Sequence, residues 1–408
     1  MAAYKHRVVL TGLGVVAPNG NNREAFYEAL REGRSGLGDV SLLDMSLYRT
    51  QIAGEVELQF SEEVAATEHN FDRTVSLAFQ ALDEALLDAG LTRDDIEGMG
   101  NRAGLAFATS LGGNSRMMEH IKQELAGEAP APEWLSDLNF FTNFVARKAG
   151  IQGPVSTTAS ACAAGSASAG VALDMIRFGR ADLMVLGGAD PLTDLSIGGF
   201  HSLKSLSPNG SKPFDRNRDG LVIGEGSAMF VLERLDHALA RGAHIYAEIL
   251  GYGISNDAYH ITSPDPEGGG AIRAMRMALE DAGIEPGDVD YINAHGTSTL
   301  VNDKMELGAI TEVFGEHAYS VAISSTKSMT GHCLGAAGSI ELATAMLAID
   351  RNFLPPTATL DDPEEAFEGY NLIKKQGEDA QVQVVMSNSF AFAGNAACLI
   401  LARHDRGR

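Results

Sequence analysis

The chain repeats itself, and that constrains its fold more than any other feature of its 408 residues. ALLDAGLTRDDI at 85–96 returns as ALEDAGIEPGDV at 278–289, and CAAGSASAGVALDMI at 162–176 returns as GAAGSIELATAMLAI at 335–349. VVLTGLG at 8–14 has a looser echo in AEILGYG at 247–253. Three matches in one order predict two halves of similar design, 1–246 and 247–408. Each half supplies strands and a helix that opens on small residues. Small residues let backbones approach closely, so the two CAAG and GAAG helices are expected to pack against each other in the centre.

Local signals predict a mixed α/β chain. RVVL at 7–10 reads as a buried strand followed by a turn at GLG, 12–14. Residues 74–90 read as a helix with apolar positions three and four apart and Gly90 as its cap. ADLMVLGGAD at 181–190 reads as a strand, and the turn-rich PNGSKPFDRNRDG at 208–220 as a surface loop. A net charge of −23 argues against nucleic-acid binding. Three cysteines, Cys162, Cys333 and Cys398, make no disulfide framework and suggest a reducing, cytoplasmic setting. Lys5, His6 and Arg7 precede an apolar run broken at Thr11, Gly12 and Gly14 and stopped at Pro18, unlike a signal peptide. No run approaches the ~20 apolar residues of a membrane helix. GLGVVA at 12–17 fits a loose dinucleotide fingerprint, but Pro18-Asn19-Gly20 signals a turn where the helix should run. No cofactor is expected.

Cys162 lies in STTASACAAGSASAG, between an extended GPVST and a small-residue helix start. A thiol at a helix N-terminus feels the positive end of the backbone dipole, which favours the nucleophilic thiolate. Ala161, Ala163, Ala164 and Gly165 leave room for an acyl group. The alternative is a buried, inert cysteine, the usual fate of a free thiol. His295 follows the strand-like YINA, and His332 stands just before the second repeat helix. The repeat sets Gly335 opposite Cys162, which brings His332 near the thiol. Cys162, His295 and His332 together suit acyl transfer to a thiol. Zinc held by Cys162, Cys333 and two histidines is the rival, but no Cys-x-x-Cys or His-x-x-x-His spacing supports it, and no metal is expected. Lys327 and Glu341 flank His332, and each needs a partner if buried. They are expected to pair, either in support of the histidines or as a plain structural bridge. Asp303 and Glu306 read as structural loop and helix-start residues.

Taken in order, TGLGVVAPNG, SACAAG, PFDRNRDGLVIGEG, NAHGTST, SSTKSMTGHCLGAAG and NSFAFAGN resemble the β-ketoacyl-[acyl-carrier-protein] synthases of the elongating class, in the thiolase superfamily, over nearly the whole chain. The resemblance implies an α/β, thiolase-like, five-layered αβαβα fold built from two related halves. It implies a homodimer, with a heterodimer as the alternative, and an acyl carrier protein as the partner. The implied reaction is decarboxylative condensation of a malonyl unit with an acyl group held on Cys162, in fatty acid or polyketide and polyene chain elongation. By the same resemblance His295 and His332 bind and decarboxylate the malonyl unit, and Lys327 and Glu341 are the supporting pair. Phe392 is the gating residue whose backbone N–H joins that of Cys162 in the oxyanion hole. Leu111 and Phe200 match acyl-pocket positions, and Lys204 matches a basic residue of the carrier-docking surface. Arg73, Lys122 and Arg147 are further basic candidates without a motif match. The family's FGFGGTN tail is here FAFAGNA at 390–396. Ala391 and Ala393 replace glycines and Ala396 an asparagine, which restricts the backbone beside Phe392. Cys333 stands where an aliphatic residue is common and is expected to be a packing choice. A coenzyme-A-using thiolase or initiating synthase would share the fold, but those resemble a Cys-His-Cys or Cys-His-Asn set. A non-catalytic chain-length partner subunit would lack the nucleophile.

Overall fold

The computed structural model describes residues 6–58, 72–128 and 137–406, so Lys5 lies outside the described residues. Among them ten strands form one mixed sheet. The first five are β1 (Val8–Val16), β2 (Ala103–Ala108), β3 (Val155–Thr158), β4 (Leu183–Asp190) and β5 (Gly226–Arg234). The next five are β6 (Ala247–Asn256), β7 (Tyr291–Asn293), β8 (Ala322–Ser324), β9 (Val384–Phe390) and β10 (Asn395–Ala402). Their order across the sheet is β8-β7-β9-β10-β6-β1-β5-β4-β2-β3. Counted outward from the β6–β1 junction, each strand has its counterpart five numbers on. Pairing directions agree as well. β2 runs parallel to β3 and β4, while β4–β5 and β5–β1 are antiparallel. β7 runs parallel to β8 and β9, while β9–β10 and β10–β6 are antiparallel. The two sets join through two antiparallel pairs, Val9–Glu248 and Leu10–Ala247.

Six helices position the site: α1 (Arg73–Ala89), α2 (Ala164–Arg177), α3 (Asp194–Ser202), α4 (Gly269–Ala282), α5 (Leu300–Phe314) and α6 (Ala337–Arg351). Side chains alternate across each strand. Leu183, Val185, Met229 and Val231 face α1, while Met184, Leu186, Phe230 and Leu232 face α2 and α6. In the second set Met386 and Ile400 face α4 and α5, while Val385 and Leu399 face α2 and α6. The layers are therefore α1, the first five strands, α2 with α6, the second five strands, and α4 with α5: the expected αβαβα stack. The two central helices do pack together. A Cβ on Gly165 would stand 2.8 Å from Ser339 Oγ, and one on Gly338 2.6 Å from the Ser166 nitrogen. α6 is buried from Ala337 to Ile349, and each large apolar side chain sunk there contributes about 1.5–3 kcal/mol.

Two local expectations are corrected. The turn at 12–14 does not exist, because β1 runs through it with one register shift between Leu10 and Gly12. Its glycines serve close helix approach instead. A Cβ on Gly12 would lie 2.5 Å from the Ala85 carbonyl oxygen of α1, and one on Gly14 would overlap that of Ala81. Gly251 and Gly253 in β6 meet Ala278 and Ala274 of α4 in the same way. The looser sequence echo is thus a repeated strand–helix contact. Secondly, 208–220 is not simply a surface loop. Phe214, Asp215 and Arg218 are buried, and the Phe214 N–H donates to Asp303 Oδ2 at 2.9 Å. Polar composition misleads here because these polar groups are partnered inside the protein. The helix at 73–89 ends as expected, with Gly90 at φ +64. Among the described residues no helix is long and apolar enough to cross a membrane.

Candidate active site

The starts of α2 and α6 and the segments after β7 and β9 meet around a cavity of about 240 Å³. Cys162, His295, His332, Phe200, Phe390 and Phe392 are among its lining residues. Cys162 sits in a tight turn, 161–163, just before α2. Ala161 holds φ +50 there, a left-handed conformation that costs an L-residue roughly 1–2 kcal/mol. The equivalent turn before α6, 334–336, repeats the device with Leu334 at φ +52.

The thiolate expected from the helix dipole is not favoured. Burial pushes the Cys162 thiol up to about 12, against the pull of Lys327, and Asp190 adds to the rise. A helix terminus contributes at most about 2 kcal/mol, or about 1.5 pKa units. Full burial imposes up to about 3–5 units. Desolvation wins, and Cys162 rests as a thiol. Cys333 is also buried, its Sγ 3.4 Å from the Glu225 carbonyl oxygen, in the packing role expected of it.

His295 and His332 meet nearly at right angles, with ring centroids 5.3 Å apart. Lys327 Nζ lies 3.2 Å from His295 Nδ1. An ammonium only donates, so Nδ1 accepts and the ring proton resides on Nε2. The Leu334 N–H donates to His332 Nδ1 at 3.3 Å, which assigns the same tautomer. Burial, and then the Lys327 charge, hold both imidazoles well below the usual histidine range. Both rings are therefore neutral, with the ring proton on Nε2.

Lys327 and Glu341 form the expected ion pair, with side chains only 2% and 3% exposed. Burial raises the Glu341 carboxyl, and Lys327 pulls it back. Asp303 and Glu306 lie on α5 and do more than begin a helix. Glu306 accepts the N–H groups of His295 and Gly296, each at 2.8 Å, and burial lifts its carboxyl to about 7. Asp303 accepts the Ser298 N–H at 3.1 Å, so the two carboxylates fix the His295 loop from behind. Their Asp-x-x-Glu spacing on one helical face, straight after HGTST, was the available signal. Asp190 was missed altogether. At the end of β4 it accepts the N–H groups of Leu111 at 2.8 Å and Gly335 at 2.7 Å, and burial pushes it up to about 6. A carboxylate closing an apolar strand in GGAD was its sequence signal.

Around the mouth, Phe200 stacks on Phe392 with centroids 5.3 Å apart. Leu111, expected in the acyl pocket, packs in the apolar cluster that includes Phe200, Leu192 and Ile197 and is not among the cavity's lining residues. Of the departures in the tail, Ala391 is extended at φ −137 and Ala396 pairs with Ser255 in the sheet, so neither is strained. Ala393 is at φ +59, where glycine would be cheaper, and its N–H donates to the Ile261 carbonyl at 2.7 Å. Lys204 is exposed between Leu203 and Ser205, both of which line the cavity. Arg73 is engaged by buried Glu225 and by the Val56 carbonyl at 2.7 Å. Lys122 reaches Asp194 at 3.4 Å, and Arg147 lies over the Phe144 ring.

The chain resembles known proteins in sequence and in fold. The family model described as "Beta-ketoacyl synthase, N-terminal domain" matches residues 5–238, and that described as "Beta-ketoacyl synthase, C-terminal domain" matches 246–361. The chain is 41% identical to the 3-oxoacyl-[acyl-carrier-protein] synthase 2 of Coxiella burnetii, covering 98% of this chain and 99% of that one. It is 39% identical to the protein of the same name from Synechocystis, with the same coverage. Among solved structures, the ishigamide ketosynthase/chain length factor superposes with a TM-score of 0.90 at 36% identity, covering 98% and 99% of the two chains. A type II PKS acyl-carrier protein in complex with its ketosynthase gives 0.89 at 35% identity, covering 98% and 100%. Likeness at this identity over nearly full length, in sequence and in fold, shows that the chain belongs to the β-ketoacyl synthase family.

Proposed function

We propose that Cys162 carries the acyl chain and that His295 and His332 act on a malonyl unit delivered by an acyl carrier protein. The chain is a 3-oxoacyl-[acyl-carrier-protein] synthase, an acyltransferase that forms a C–C bond. The observation that carries the residue roles is the pair of neutral, buried imidazoles, both in the Nε2–H tautomer, beside a cavity that Cys162 also lines.

In the first step the Cys162 thiol attacks the acyl thioester, the carrier C–S bond breaks, and the thiol proton leaves with the carrier thiol. Cys162 loses its proton as the new C–S bond forms, and that proton ends on the departing carrier thiolate. The malonyl carboxyl–carbon bond then breaks, CO₂ departs, and the electron pair becomes an enolate. Two N–H donors aimed at the enolate oxygen stabilise it strongly in a site shielded from water. Neutral rings matter here, since an imidazolium would hand its proton to the enolate and quench it. The enolate carbon attacks the acyl-Cys162 carbonyl, and the backbone N–H groups of Cys162 and Phe392 hold the second oxyanion. Collapse expels the Cys162 sulfur, which recovers a proton from solvent.

Phe392, stacked on Phe200, gates the acyl chain; Phe200 bounds its pocket and Leu111 packs behind it. Lys204 at the mouth meets the acidic carrier, which the net charge of −23 would otherwise repel. The enzyme works in the cytoplasm as a dimer, with itself or with a chain-length subunit of the kind named in two of the solved relatives. Cys162→Ala should abolish condensation while malonyl decarboxylation persists. His295→Ala and His332→Ala should lose decarboxylation yet still take an acyl group on Cys162, seen as an acyl adduct by mass spectrometry. Condensation by the Cys162→Ala protein would overturn the assignment.

A further inference from the structure

We propose that Ser389 and Ser166 are positioning residues that fix the tautomer of His295 through the Glu341–Lys327 pair. This rests on the reading in which His295 acts on the malonyl unit through Nε2–H. Ser389 Oγ donates to Glu341 Oε2 at 3.4 Å, while Lys327 Nζ donates to Oε1. A serine hydroxyl has a single proton. Ser389 gives its own to Glu341, so the 2.8 Å bond between Ser166 and Ser389 is donated by Ser166. Donors therefore point inward from both ends: Ser166 to Ser389 to Glu341, and Lys327 to both Glu341 and His295 Nδ1. Ser166, Ser389, Lys327 and Glu341 are all buried, where aligned hydrogen bonds reinforce one another. Ser166 also stands one helical turn beyond Cys162, so the chain of bonds spans from the nucleophile's helix to the malonyl side of the site.

Without the Ser389 proton, Glu341 Oε2 is an unpaired buried acceptor. Lys327 restores that bond by turning an N–H from His295 Nδ1 to Oε2, and the ion pair stays charged. His295 Nδ1 then loses the donor that held it as an acceptor, and the ring proton moves, through solvent, from Nε2 to Nδ1. The ring's edge toward the cavity changes from donor to acceptor, and the enolate loses one of its two N–H bonds.

The ¹⁵N spectrum of histidine-labelled protein reads this directly, with His295 assigned by the signal missing from His295→Ala. The wild type should show His295 protonated on Nε2, and Ser389→Ala should show it protonated on Nδ1. Decarboxylation of a malonyl thioester should fall roughly 100-fold in Ser389→Ala, as for loss of one oxyanion donor. Acylation of Cys162 should stay near wild type, Ser166→Ala should give a smaller loss of the same kind, and Ser389→Thr should restore tautomer and rate. A wild-type tautomer in Ser389→Ala overturns the proposal, as does a fall in acylation equal to that in decarboxylation. If Ser389→Ala does not fold, Ser166→Ala decides: a wild-type spectrum and rate overturn the proposal. Undiminished decarboxylation by His295→Ala would instead defeat the functional reading and leave the tautomer result standing.

Discussion

Lys327→Met leaves the Glu341 carboxylate buried with the Ser389 hydroxyl as its hydrogen-bond donor. A carboxylate in that position escapes its charge by taking up a proton. From a reference pKa near 4.3, at about 1.4 kcal/mol per unit, protonation costs about 3.7 kcal/mol at pH 7 and about 1 kcal/mol at pH 5. Glu341→Gln strands the lysine instead. Removing a proton from a lysine of reference pKa near 10.4 costs about 4.6 kcal/mol at pH 7 and about 2 kcal/mol at pH 9. These ceilings agree with the roughly 3–5 kcal/mol usual for breaking a buried pair. The signs of the pH dependence are opposite. The native Lys327→Met protein binds one proton more than its unfolded chain, so its stability relative to wild type falls as pH rises. Native Glu341→Gln binds one fewer, so its relative stability rises with pH. Lys327→Met/Glu341→Leu removes both charges and should recover most of the loss with no slope. For 408 residues, 4 kcal/mol is about 5 °C in Tm at ~2.1 cal/mol/K per residue. Denaturant unfolding at pH 5, 7 and 9 reads all four proteins. Equal slopes in the two single variants, or a double variant less stable than either, would refute the pairing. The double variant should regain stability without decarboxylation, because His295 Nδ1 has still lost its Lys327 donor.

Leu111→Phe adds bulk behind Phe200 and should shorten the longest acyl chain accepted, while short-chain turnover changes little; an unchanged chain-length profile, measured with a series of acyl carrier substrates, counts against a pocket role. Lys204→Glu should raise KM for carrier-bound substrates at low salt and leave small thioester analogues near normal, since a rim charge acts on association. The wild-type rate with carrier substrates should fall as salt rises, and kinetics identical to wild type would remove Lys204 from the docking surface.

Much of this was legible in the sequence because it is carried by small residues. Glycines and alanines mark where backbones touch, and the repeats at 85–96 and 278–289 mark the ends of α1 and α4. The same glycines misled at 12–14. Sequence alone does not tell a glycine that frees the backbone from one that makes room for a helix, and only the Ala81 and Ala85 carbonyls across from β1 decide it. Charge was harder still. Polar residues in 208–220 read as solvated, yet Arg218 and Asp303 lie buried within 3.6 Å of each other. The Cys162 thiol was misjudged for a related reason: the dipole is local and visible in the sequence, while desolvation is set by residues far apart in the chain.

The pseudo-symmetry also explains why the site has one nucleophile and not two. The turns before α2 and α6 are alike, each opening on a left-handed residue, Ala161 or Leu334. Both place the next residue at the first turn of a central helix, Cys162 in one and Gly335 in the other. The second position is Gly335, and the neighbourhood permits nothing larger in place. A Cβ there would stand 2.7 Å from both Asp190 Oδ2 and Ser110 Oγ. Asp190 uses that oxygen to accept the Gly335 N–H, and its other oxygen to accept the Leu111 N–H. The carboxylate thus occupies, in one half, the space a second nucleophile would need, and uses it to tie the turn before α6 to the segment after β2. That same turn carries the Leu334 N–H that assigns the His332 tautomer. Glycine at 335 thus leaves room for the carboxylate that holds the turn before α6 and, with it, the Leu334 N–H on His332.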